Sequence, residues 1–143
     1  MDQIVTLETA KLAMEVGFHD KCIYYYSDDN TYIENEWADG AGYGVEIDDL
    51  LFDYNGGYTD RFSAPLQSSL QKWLREKHGI WVSVYDDYHM SKKIPCISYK
   101  IAIYGCSKEI HQGLPYKYLK PEDYYKVLED GLFKALEILK ERK

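Results

Sequence analysis

The chain has 143 residues, 15 of them tyrosine, and a formal net charge of −7. This is the length of one ordinary domain, and its 45% hydrophobic content excludes a disordered tail and removes the need for disulfides or a structural metal. The negative sign disfavours nonspecific binding to phosphate backbones, and the lack of any apolar run of about 18 residues excludes a membrane-spanning helix.

TLETAKLAMEVGF, residues 6–18, predicts a first helix. Thr6 is placed to cap it, because its hydroxyl can accept from a free amide of the first turn. Leu7, Ala10, Ala13 and Met14 share one face, and Gly17 can take the left-handed conformation that ends a helix. CIYYY, residues 22–26, predicts a strand, SDDN a turn, and TYIENEW the return strand of a hairpin. Residues 34–60 read as a long acidic loop region with local structure.

A second helix is expected over 63–78. Ser63 sits where an N-cap belongs, and Pro65 suits a first turn, where its missing N–H costs nothing. Leu66, Leu70, Trp73 and Leu74 make one apolar stripe, and Gly79 closes the helix. IWVSVY follows as a buried strand, DDYHMSKK as a polar turn and CISYKIAIY as its partner, so a hairpin should pack on the helix. After the polar connection GCSKEIHQGLPYKYLK, Pro121 opens a last helix with Glu122 and Asp123 in its first turn, where negative charge is favoured. Tyr124, Val127, Leu128, Leu132, Ala135 and Leu139 line its stripe, and Gly131 on that stripe predicts the close approach of another element. The expected architecture is one α+β domain spanning 1–143. Three helices pack on a small, mainly antiparallel sheet of three to four strands.

No catalytic constellation emerges from the spacing. The loop NGGYTDRFSAP, residues 55–65, precedes a helix but lacks the Gly-Lys-Ser/Thr core of a nucleotide loop, and Asp53 and Asp60 would repel phosphate. Asp48, Asp49, Asp53 and Asp60 do not match the calcium-loop spacing, and His19 with Cys22 is a single weak pair for zinc. Cys96, Cys106 and His111 are the closest set for nucleophilic chemistry, yet Cys96 lies inside an apolar strand, where an inert thiol is usual. No metal or cofactor is expected.

Residues 20–60 hold eleven acids and one base, whereas 61–143 hold ten acids and fifteen bases. The acidic stretch can steer toward a basic partner, and the tyrosines with Trp37 and Trp81 can supply hot-spot contacts. The leading expectation is therefore a non-enzymatic protein-binding module, with self-association as one form of it. Asp53, Tyr54, Tyr58, Asp60 and Arg61 form the candidate interaction site. One alternative is a small ligand or nucleotide at the 53–63 loop and the head of the next helix. The other is nucleic acid at Lys117 and Lys120 with the neighbouring tyrosines. The odd cysteine count and the start MDQIVTLETAK, which lacks the features of a secretory signal, lead to an expected cytoplasmic setting.

Four segments, VTLETAKLAMEVGF, CIYYY, YTDRFSAPLQSSLQKWLREKHGIWVSVY and YYKVLEDGLFKALEILKER, resemble a family of small proteins of phages, prophages and mobile elements in Bacteroides-type gut bacteria. The likeness covers most of the chain but not 34–52. It implies an accessory role in a bacterial cytoplasm and brings no catalytic or binding residue with it.

Overall fold

The computed structural model describes residues 3–27, 32–34, 52–56, 61–89, 94–105, 111–113, 116–118 and 120–142. The protein is α+β: three helices and two small antiparallel sheets are present among these residues. The chain divides into two compact units, Ile4–Leu66 and Met1–Gln3 with Gln67–Lys143.

The first unit opens with α1, Leu7–Glu15, capped as the sequence implies: the Thr6 side chain accepts from the Thr9 amide at 3.3 Å. Its end is a paired-amide cap. Gly17 takes φ 97°, its N–H bonds to the Met14 carbonyl, and the Phe18 N–H reaches back to the Ala13 carbonyl at 2.9 Å. Ala10, Leu12 and Ala13 bury the inner face. The sheet of this unit is centred on β1, Tyr24–Ser27, with β2, Tyr32–Glu34, on one side and β3, Arg61–Ser63, on the other. Tyr25 lies opposite Ile33 in one ladder and Ser63 in the other.

Ser63 is not a helix cap. It is a fully buried strand residue whose Oγ accepts from the Tyr54 amide at 3.0 Å. Pro65 also stands outside any helix: its carbonyl accepts from the Val5 amide, and Leu66 bridges to Ile4. With these groups engaged in extended pairing, the next helix starts later than expected.

The second unit contains that helix, α2, Gln67–His78, then β4, Ile80–His89, β5, Ile94–Ile103, the two-residue strands β6, His111–Gln112, and β7, Tyr116–Lys117, and α3, Glu122–Glu141. Leu70, Trp73 and Leu74 are buried on α2, and Gly79, with φ 65°, turns the chain directly into β4. Strand β4 runs through Asp86 and Asp87 to His89, past the turn expected there, because ten consecutive residues pair with β5 in unbroken register. β6 and β7 both pair with the far side of β5. The strands therefore form two sheets and not the single sheet expected. Residues 24–34 pair with 61–63, whereas the 80–103 hairpin recruits only the two short strands that follow it.

Side chains alternate across a strand. Ile80, Val82, Ile97, Tyr99 and Ile101 are buried on the sheet face that meets α3. The meeting point is Gly131, where an added Cβ would lie 3.0 Å from both Val82 Cγ1 and Tyr99 Cγ. Gln67 ties the two helices of this unit together: its Nε2 donates to the Tyr125 carbonyl at 2.9 Å and to Glu129 Oε1 at 3.1 Å. Most of the acidic 34–60 region lies outside the described residues. Within it, Phe52 pairs with Cys22 and Tyr54–Gly56 form a turn.

Two substitutions test this packing. Trp73 is 5% exposed, and Trp73→Ala is expected to cost about 3–5 kcal/mol in urea unfolding. Gly131→Ala normally improves a helix, but here it should destabilise by about 1–3 kcal/mol, because the new methyl group has no space against Val82 and Tyr99. A stabilised Gly131→Ala variant would refute the close approach.

Candidate functional site

Around Asp53 the first unit gathers a set of polar groups from three places in the chain. His19 Nδ1 donates to Asp53 Oδ2 at 3.0 Å, and the other carboxylate oxygen accepts from the Asn55 amide at 3.0 Å. Asn55 in turn donates through Nδ2 to the Phe18 carbonyl and accepts through Oδ1 from the Ser63 amide. Every bond of this network except the His19 contact ends on backbone, so its main product is the shape of the 53–56 turn. The His19–Asp53 pair is exposed enough to be screened, and such pairs add little stability.

Cys22 lies in the same unit, buried, with its Sγ donating to the Asp20 carbonyl at 3.6 Å. Burial pushes its thiol up to about 12; the Ser63 hydrogen bond opposes this, and the charges of Asp20 and Asp53 add to it. A thiol held this firmly protonated is a poor nucleophile near neutrality.

The sequence candidates separate here. Asp53 is half-buried in the network described. Tyr54 is buried, with its ring 4.6 Å from that of Tyr25, so it is a core aromatic and not a contact residue. Arg61 holds its guanidinium 4.8 Å from the same Tyr25 ring. Tyr58 and Asp60 lie outside the described residues, as do Trp37, Asp48, Asp49 and Cys106. Among the described residues, no three His, Cys, Asp or Glu side chains converge as metal ligands.

In the lysine–tyrosine stretch, Tyr116 is drawn out of play as a stacking ring. Its hydroxyl donates to Asp130 Oδ2 at 2.7 Å, and burial with that carboxylate raises it to about 12. Lys117, Tyr118 and Lys120 are exposed. Cys96 is buried in β5.

The second unit presents a surface that the spacing only partly indicated. Trp81 stands 52% exposed on the outer face of β4, and the Arg75 guanidinium of α2 lies 5.2 Å from its ring. Ala102 is opposite Trp81 in the ladder, and two residues on, Tyr104 is 85% exposed. The Tyr104 amide donates to the Gly79 carbonyl at 2.8 Å, so the ladder geometry extends to it and keeps it beside the same face. Lys100 and Ser83, paired one step along, are exposed as well. Trp81 was legible as a contact residue from its type; Arg75 and Tyr104 join it only through the helix–strand turn and the hairpin register.

Comparison with protein-family models, curated proteins and solved structures found no match. No helix among the described residues is long and apolar enough to cross a membrane.

Two outcomes are expected. Ser63→Ala strands the buried Tyr54 amide and should cost about 1–3 kcal/mol, read from denaturant midpoints. The Cys22 thiol titrates higher in the fold than its ordinary 9.0, so its contribution to stability is complete below pH 9.0 and is lost as pH rises toward 12. Cys22→Ala should flatten the fall in unfolding midpoint across that window, leaving the contributions of Tyr116 and Tyr99, whose hydroxyls burial also pushes up. An unchanged slope would mean that the thiol is not buried as described.

Proposed function

We propose that this chain is a non-enzymatic protein-binding module, an accessory protein of a phage or mobile element acting in a bacterial cytoplasm. The observation that carries the binding reading is the exposed pair Trp81 and Tyr104 on the outer face of the β4–β5 hairpin, with the half-buried Arg75 of α2 set against the indole. A tryptophan left half-exposed on a ten-residue strand forgoes its own burial, which fits a side chain buried on complex formation. Tryptophan, tyrosine and arginine are the types that dominate binding energy at interfaces. Arg75 also pre-orders the indole ring, lowering the entropy lost on docking. The polar network at Asp53 supports the same reading indirectly, since its bonds go to holding a turn and not to reacting groups. The accessory role rests on the family resemblance of the four quoted segments.

The test is quantitative capture from a Bacteroides-type lysate, with native mass spectrometry of the purified chain beside it. A specific partner, or a defined multimer, should bind the wild type and weaken by about 2 kcal/mol or more, roughly thirtyfold, in Trp81→Ala. Binding that survives Trp81→Ala and Arg75→Ala unchanged would remove this surface. A chain that neither captures a partner nor self-associates would remove the function.

A further inference from the structure

We infer that the free edge of β4, from Val84 to Tyr88, is a strand-addition site for an extended, basic segment of another protein. The direction of the backbone groups follows from the ladder. The Tyr104 amide bonds to the Gly79 carbonyl, so Gly79 faces β5; alternation then turns Val82, Val84, Asp86 and Tyr88 away from it. The other side of the hairpin agrees, because the Tyr99 carbonyl accepts from Gly113 and the Pro95 carbonyl from Tyr118, both away from β4. Strand β4 is the outer strand of its sheet among the described residues. One outward group is already occupied: Gln71 Nε2 donates to the Val82 carbonyl at 2.6 Å. Beyond it, the backbone N–H and C=O groups of Val84 and Asp86 face outward with no partner among the described residues. Such a row is a template for another strand.

The chemistry of the occupant follows from the side chains. The strand IWVSVYDDYH carries two aspartates and no lysine or arginine. Asp86 is exposed and shares a cavity of about 250 Å³ with Pro95, Cys96 and Tyr118. A carboxylate lining the same space as a proline and an aromatic ring suits a lysine or arginine, whose alkyl stem can pack on the apolar walls while its charge meets the acid. A residue opposite Asp86 on an added strand stands within reach of that carboxylate, where opposite charges stabilise and like charges repel. A second copy is disfavoured for that reason: pairing two copies over the whole stretch Val84–Tyr88 sets Asp86 against Asp86.

The experiment follows backbone amide hydrogen exchange by NMR in the intact chain. Three short synthetic peptides are added: one alternating valine and lysine, one alternating valine and glutamate, and the lysine peptide with alternate backbone nitrogens methylated. At about ten times its dissociation constant, the lysine peptide should slow exchange at Val84 and Asp86 about tenfold. The glutamate and N-methylated peptides should not, and Asp86→Asn should weaken the lysine peptide. Equal protection by all three peptides, or none by any, overturns the inference. Protection that rises with protein concentration in the absence of peptide assigns the edge to a second copy and also overturns it. Trp81→Ala should leave the peptide effect intact, so failure at this edge and failure of the Trp81 surface are separate results.

Discussion

At Gly131 the backbone of α3 comes nearer to the β4–β5 hairpin than any residue with a side chain would allow. Val82 and Tyr99 occupy the space a Cβ would need. This contact holds more than one layer in place. With Val82 and Tyr99 turned to the helix, strand alternation must send Trp81, Ser83 and Lys100 the other way. A slip of one residue would bury Lys100 and expose Ile101, so the helix selects the register along the whole hairpin. The outer face, with its exposed indole, is thus a consequence of how tightly the inner face closes.

Whether a feature could be read in the sequence depended on how local its cause is. Thr6, Gly17, Gly79 and Gly131 were legible because a cap, a left-handed turn and a gap in an apolar stripe are signals of adjacent residues. Ser63 carried the same local signal as Thr6 and led to a different structure. Its hydroxyl is claimed by Tyr54, nine residues back, and the Pro65 carbonyl by Val5 at the other end of the unit. Asp86 and Asp87 look like turn residues, yet pairing with Ile97 and Cys96 carries the strand through them. Cross-strand context outweighs the weak strand preference of aspartate when neighbours on both sides already pair.

The candidate site divided along the same line. Tyr54 and Arg61 read as contact residues in the sequence, but the ring of Tyr25 lies within 5 Å of each, a contact made by folding. Trp81 is legible as a contact residue, whereas its companions are not: Arg75 reaches it across the α2–β4 turn and Tyr104 lies beside it through the far end of the ladder. Polar groups of the first unit are largely consumed in satisfying buried backbone, which is what an interior demands. Trp81, Ser83, Lys100 and Tyr104, exposed on the outer surface of the hairpin, are under no such demand.

The two ends of β4 are handled differently, and Gln71 marks the division. An open edge invites indiscriminate pairing, so natural sheets interrupt or charge it. Near Trp81 the edge is interrupted by the Gln71 side chain on the Val82 carbonyl. Beyond Val84 no strand pairs with it among the described residues, and an exposed aspartate penalises pairing with a second copy. A strand added there must stop before Val82, since Gln71 already holds that carbonyl. On the binding reading proposed above, the aromatic surface and the open edge share one strand without sharing an occupant: one would be met by the face of a partner, the other by its backbone.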